Sequence, residues 1–363
     1  MSQFGAWKKI ARWSPDFIVC DESHKIKSHK IAASKSLHRL GTKANYKLIL
    51  TGTMITNKAL DCFSQYKFLN PAVFGNSFYS FRNQYFDMVG YGGYTPVLKE
   101  IMEPELKEKI HSIAFRATKA ECLDLPKVQE IIRFVELEPL AMNTYKKLVK
   151  DSFAELSKGE ITVTNVLTKI LRLSQLTGGF LGNDDGTAVT RVSTVKLQAL
   201  DDIIESVLES GKKVVVIAKF IAEIKAITKL LKKKNIQFSL ISGEVKNRAE
   251  EIEKFQNDPE VKVFVGQIAT AGLGIALTAA STMVFYSLDY SMSNFEQSKG
   301  RIHRVGQKDN STYIYLTAKD TIDEKVLKAL ETKSNLAKSL IDDYQKGKNP
   351  FQSEGGENLW KKT

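Results

Sequence analysis

Apolar positions change rhythm along this chain. From about residue 188 onward, short continuous apolar runs alternate with stretches of helical spacing. Lys213 to Phe220, Ile236 to Ile241, Lys262 to Val265, Met283 to Tyr286 and Tyr313 to Leu316 read as strands. Between the first two, Ile221, Ile224, Ile227 and Leu231 keep a 3.6-residue period with Lys225 and Lys229 outside it, and Lys196 to Leu208 reads as another helix. Lys232 to Lys234 read as the solvated end of the first of these helices. Such alternation predicts an α/β fold with a parallel sheet and right-handed crossovers.

The first half is less regular. Phe17 to Cys20 and Tyr46 to Leu50 read as strands, with a helix between them from His24 to Leu40. From Leu140 to Leu176 the pattern is helical: Leu148, Phe153 and Leu156 lie in its first part, while Val166, Ile170, Leu171 and Leu173 lie near one face. Gly178-Gly179 and the run Gly182 to Thr187 mark a loop and a lobe boundary. The tail past Tyr344 is polar and reads as disordered.

Composition narrows the function classes. The 363 residues allow two or three domains, and 43% hydrophobic with 26% charged residues is ordinary for a globular protein. No apolar run is long enough to cross a bilayer, and the N-terminus lacks the apolar core of a signal peptide, so a cytoplasmic setting is expected. Cys20, Cys62 and Cys122 form no C-x-x-C pair, which excludes a disulfide framework and a zinc site as readings. His24 and His29 read as solvated helix positions. A net charge of +12 favours a polyanionic partner, nucleic acid before membrane.

Three clusters carry candidate chemistry. The apolar run Phe17 to Cys20 delivers Asp21 and Glu22 at its carboxyl end, where parallel sheets build sites. Asp21 would hold Mg²⁺ through water, and Glu22 would orient or deprotonate an attacking water. The alternative is an acidic start to the next helix. In Thr270-Ala271-Gly272-Leu273-Gly274-Ile275-Ala276-Leu277-Thr278, Gly272 and Gly274 would let backbone amides approach a phosphate or sugar, with Thr270 and Thr278 as hydroxyl donors; the alternative is a plain turn. Arg301 and Arg304, three apart, could present two guanidinium forks from one helical turn to a phosphate whose charge grows during transfer. Their alternative is a solvated basic face.

The eleven residues Gln297 to Gln307 (QSKGRIHRVGQ) resemble the last motif of superfamily 2 nucleic-acid-dependent ATPases, in the form used by the Swi/Snf class of double-stranded DNA translocases. Phe68 to Gly75 (FLNPAVFG) and Asp124 to Lys127 (DLPK) resemble further segments of that class, and Thr51-Gly52-Thr53 resembles its coupling motif. Met54 stands where the class has Pro, Ala117 replaces an expected Arg, and the Gly272–Gly274 stretch is shorter than the usual form, closer to annealing-helicase and phage branches.

The resemblance implies two RecA-like parallel-sheet lobes with an inserted helical region. It divides the chain into an incomplete first lobe (1–130), a helical protrusion and linker (131–187), a second lobe (188–343) and a tail (344–363). ATP would lie between the lobes, contacted by Asp21, Glu22, Gly272, Gly274, Arg301 and Arg304. Gln297 would help position the arginines, His24 and Thr51 to Thr53 would relay lobe closure, and Arg248, Thr270 and Thr278 would grip duplex DNA.

No Gly-x-x-x-x-Gly-Lys-Ser/Thr phosphate loop is present: Gly211-Lys212 and Gly347-Lys348 lack both the preceding glycine and the following hydroxyl. The expected function is therefore the C-terminal part of a DNA-dependent ATPase, in a prokaryotic or phage-infected cytoplasm, with a separate N-terminal fragment as candidate supplier of the loop. The alternative is a truncated or degenerate DNA-binding module without ATPase activity. An RNA-unwinding helicase fits less well, because Phe68 to Gly75 and Asp124 to Lys127 resemble the duplex-DNA class.

Overall fold

The computed structural model describes residues 9–332 apart from 53, 56–58, 90–94, 118, 159–162, 183–188, 246 and 269–274. It forms two compact units, residues 1–118 and 119–363.

In the first unit a short helix (α1, residues 9–13) precedes β1 (Phe17–Asp21), which pairs in parallel with β2 (Tyr46–Leu50) in the register Phe17↔Tyr46 to Asp21↔Leu50. The helix expected from His24 to Leu40 is instead two pieces, a 3₁₀ turn (Ser23–Ile26) and α2 (Ala32–Gly41). The break has a local cause: Ser34 Oγ donates to the Ile26 carbonyl at 3.1 Å, satisfying it without a helical N–H. It also turns both histidines inward. His24 is 8% exposed and His29 stacks on Phe78 at 4.0 Å, so neither is a solvated helix position.

The core of this unit is aromatic. α3 (Cys62–Leu69) ends at Asn70, whose side chain caps α4 (Pro71–Phe74) by accepting from Ala72 N at 3.0 Å, with Pro at the first helical position. Gly75, at φ +78°, then reverses the chain in a conformation that a side chain would disfavour. These turns drive Phe74 against Tyr66, Phe81 and Tyr85, the last two from α5 (Phe78–Tyr85). The antiparallel hairpin of β3 (Phe86–Val89) and β4 (Thr95–Leu98) follows, then α6 (Glu103–His111), which buries Leu106 and Ile110 in the same cluster.

The second unit is built on a six-stranded sheet in the order β5-β12-β11-β8-β10-β9, every pair parallel. After α7 (Lys119–Cys122), its strands are β5 (Val128–Val135), β8 (Lys213–Ala218), β9 (Phe238–Ile241), β10 (Val263–Gln267), β11 (Ala280–Phe285) and β12 (Ser311–Ala318). β8 and β11 are central and buried along nearly their whole length, which is why they read as unbroken apolar runs. β5 has no counterpart in the sequence reading.

Helices α8 (Pro139–Lys158) and α9 (Val163–Thr177) contribute Tyr145, Val149, Val166, Ile170 and Leu173 to the main core. A small hairpin, β6 (Phe180–Gly182) with β7 (Val189–Arg191), then leads to α10 (Val195–Glu209). The crossovers α11 (Ile221–Lys233), α12 (Arg248–Asn257) and α13 (Met292–Lys299) precede the closing helix α14 (Ile322–Glu331). Thr321 caps α14, accepting from Asp323 N. Asp323 in turn accepts from Lys196 Nζ at 2.5 Å and from Thr177 Oγ1 at 2.7 Å, tying α9, α10 and α14 together.

At the carboxyl end of β8, Glu223 of α11 is buried and accepts from Lys219 N, Phe220 N and Ser287 Oγ at 3.2, 3.0 and 2.6 Å. Gly178 passes so close that a Cβ there would overlap this carboxylate. Burial pushes the Glu223 carboxyl up to about 7, against the pull of these hydrogen bonds and of Lys196. A carboxyl raised in the folded state stabilises the fold below its unfolded value of about 4.3, and that contribution is lost as pH rises toward 7. Denaturant unfolding of Glu223→Gln is therefore expected to shift in the variant's favour between those limits, by at most about 1.4 kcal/mol per pH unit. A difference independent of pH would contradict the assignment.

Candidate functional site

The carboxyl ends of β1 and β2 release two turns side by side. Because Asp21 pairs with Leu50, the segment Asp21 to His24 leaves the sheet next to Thr51 and Gly52. Glu22 takes a left-handed backbone (φ 52°, ψ 48°), which costs a non-glycine residue about 1–2 kcal/mol. The Asp21 carboxylate accepts from Glu22 N at 2.8 Å, and the Glu22 carbonyl accepts from Lys25 N at 2.9 Å. His24 Nδ1 lies 3.1 Å from Glu22 Oε2 and 3.2 Å from Thr51 Oγ1. Burial lowers the pKa of His24, outweighing the opposite pull of Glu22. A neutral imidazole there can share its Nδ1 proton between carboxylate and hydroxyl.

The second unit holds its arginines differently from the sequence expectation. α13, capped by Ser291, ends at Lys299, and Arg301 and Arg304 lie in the turns that follow rather than in one helical turn. The cause is a set of bonds to the segment before β11. The Arg301 carbonyl accepts from Leu277 N at 2.9 Å, and Arg304 Nη1 donates to the Ile275 carbonyl at 3.3 Å. Gln307 Nε2 donates to the Ala280 and Ile302 carbonyls at 2.8 and 3.2 Å, while its Oε1 accepts from Lys308 N and Asp309 N at 3.0 Å each. Arg301 is 9% exposed, Arg304 is half-buried, and Gln297 is half-buried in the last turn of α13.

Two family models match the chain in tandem, an SNF2-related domain over residues 6–178 and a helicase conserved C-terminal domain over residues 195–306. This chain is a homologue of the Swi/Snf-class ATP-dependent helicases. It is 29% identical over 359 residues to an uncharacterized ATP-dependent helicase of Mycoplasma genitalium, covering 98% of this chain and 33% of that protein. It is 27% identical over 357 residues to the DNA repair and recombination protein RDH54 of Saccharomyces cerevisiae, covering 91% and 38%. Among solved structures, the SWI2/SNF2 ATPase core domain of Sulfolobus solfataricus matches 91% of this chain and 70% of that one, at 26% identity and a TM-score of 0.50. The chain thus spans about a third of the length of these curated relatives. RecA-like architecture and homology to ATP-dependent helicases follow from these matches.

Within this Swi/Snf homologue the structure brings together Asp21, Glu22, His24 and Thr51. It separately brings the Arg301–Gln307 turns against residues 275–280. Arg248 and Thr278 stand apart, since Arg248 opens α12 beyond the carboxyl end of β9 whereas Thr278 precedes the amino end of β11 in the same parallel sheet. Thr278 Oγ1 accepts from Gln256 Nε2 at 3.2 Å, and Gln256 Oε1 accepts from Ala279 N at 2.9 Å. Thr53, Thr270, Gly272 and Gly274 lie outside the described residues.

Sequence reasoning missed three glutamines, Gln65, Gln256 and Gln307. Only Gln307 carried a signal, as the last residue of the string that resembles the family motif. Among the described residues no group of three or more His, Cys, Asp or Glu side chains could cage a metal. Mg²⁺ takes one or two carboxylates together with phosphate and water rather than a protein cage. Asp21 is an exposed carboxylate at the end of β1 that such an ion could use. No helix among the described residues is long and apolar enough to cross a membrane.

Proposed function

We propose that this chain is the ATP-hydrolysing and track-gripping part of a motor that moves along double-stranded DNA. The observation that carries the reading is the Glu22–His24–Thr51 constellation at the carboxyl ends of β1 and β2. A carboxylate able to align water there shares an imidazole with the turn that the family uses for coupling.

In this reading Glu22 orients and deprotonates the attacking water, and His24 steadies its carboxylate. Asp21 holds Mg²⁺, which supplies charge neutralisation on the phosphates when bound. Arg301 and Arg304 stabilise charge that develops on a phosphate during transfer, with Gln297 and Gln307 setting their turns. Gly272 and Gly274 admit the nucleotide's polar groups to the backbone. Arg248 and Thr270 grip the DNA backbone in a sequence-independent way, and the net charge of +12 favours such a partner. Thr278, engaged by Gln256 at the opposite end of the sheet, is assigned to bracing the arginine turns instead.

The phosphate loop that this reaction needs is assigned to polypeptide outside these 363 residues, whether in the same chain or as a separate fragment. The sheet of the first unit supports this. Phe17, Val19, Tyr46, Leu48 and Leu50 are 42–69% exposed on a two-stranded parallel pair, and parallel sheets are normally covered on both faces.

The test is ATP turnover by the chain combined with a polypeptide carrying the phosphate loop, with and without duplex DNA. Duplex DNA is expected to raise turnover at least about tenfold, and RNA much less. Turnover indifferent to DNA, or driven better by RNA, would overturn the motor assignment.

A further inference from the structure

We propose that Gln65 is a positioning residue that locks the carboxylate turn after β1 to the segment that follows β2, at Thr51 and Met54, so that the two respond as one body. The catalytic consequence rests on the functional reading above; the contacts do not.

Gln65 lies on α3 and is completely buried, as is Ser23. Its Oε1 accepts from Ser23 Oγ at 2.8 Å, and its Nε2 donates to the carbonyls of Met54 and Asp61, each at 2.8 Å. Both amide hydrogens are therefore used. Flipping the amide would set its oxygen against two carbonyl oxygens, so the orientation is fixed by its partners. Such a side chain is costly to place in a core unless each polar group finds its mate.

The geometry gives the carboxylate turn two separate anchors. His24 reaches Thr51, at the start of the second turn. Ser23, its neighbour, reaches Met54 through Gln65, three residues further along the chain. One anchor would leave the turn free to pivot about the imidazole; two fix its orientation. Glu22 adjoins both anchors and holds a left-handed backbone, a conformation that persists only where the surroundings over-determine it. Leu at position 65 would fill similar space and suit the helix, yet would leave the Ser23 hydroxyl and the Met54 carbonyl without this partner.

The decisive measurement needs no ATP. In the 363-residue chain with ¹³C-labelled histidine, His24 is identified by its loss in His24→Asn and titrated by NMR. Its midpoint lies below the ordinary imidazole value, burial being the largest cause. In Gln65→Leu the loosened turn admits water, and the midpoint is expected to move up toward about 6.5. His29, stacked on Phe78 in the aromatic core, is expected to stay where it is. Ser23→Ala, which removes a single oxygen, should move His24 in the same direction and decides the matter if Gln65→Leu fails to fold. A His24 midpoint unmoved in both variants, or one that moves only together with His29, would overturn the positioning role.

A second arm reads catalysis in the assembly that carries the phosphate loop. There Gln65→Leu should lower kcat about tenfold with KM for ATP nearly unchanged. Absence of turnover in the wild-type assembly would sink the functional reading and leave the His24 result standing. Normal turnover in Gln65→Leu with a shifted His24 would show that the lock exists but does not serve hydrolysis, which overturns the catalytic half of the proposal.

Discussion

Glu22→Gln is expected to lower DNA-stimulated ATP turnover by about 10²–10⁴-fold, the range that a positioned general base contributes. The substitution keeps the size of the side chain, and the left-handed backbone at residue 22 is tolerated by Gln about as well as by Glu. What it removes is the negative charge facing His24 Nδ1 at 3.1 Å and the capacity to accept a proton from water. ATP affinity should change little, because Asp21 keeps its charge and no positive group is lost. Calorimetric ATP binding alongside single-turnover hydrolysis separates these effects. Unchanged hydrolysis would remove Glu22 from the chemistry, and lost binding would make it a nucleotide ligand instead.

Arg304→Ala should cost about 10³-fold or more in kcat, with KM for ATP changed only a few-fold. Arginine fingers act mainly on charge that develops in the transition state, and the protein-supplied cases are worth that much. Arg304 is the cleaner probe of the two arginines. It is half-buried, and its main described tie is one donation to the Ile275 carbonyl at 3.3 Å, whereas Arg301 is 9% exposed and its loss would also disturb packing. Arg304→Lys should recover little, since an ammonium cannot reproduce the planar fork. Wild-type kcat in Arg304→Ala would show that the arginine serves the 275–280 segment structurally and not the phosphate.

By itself the sequence determined the α/β class of the second unit and the positions of most of its strands. The reason is local: β8 and β11 are buried on both faces, so burial imposes continuous apolar runs such as Val214 to Ala218 whatever their neighbours. The order of the Asp21-Glu22, Thr51 to Thr53 and Arg301–Arg304 motifs was likewise legible, because each is a short string of functional groups. The tertiary structure alone decided what those groups touch. β5 reads weakly because edge strands mix polar and apolar positions, and its partner β12 lies about 180 residues away. Glu22 shows no sequence sign of its left-handed backbone. His24 and His29 read as solvated until a serine eight residues beyond Ile26 breaks the expected helix. Gln65, Gln256 and Gln307 look like surface residues in any helical or loop pattern. Gln65 and Gln307 are held inside, and Gln256 half-buried, by carbonyls, amides and hydroxyls that packing delivers, and a polar group's need for a buried partner can be met only once the chain has folded.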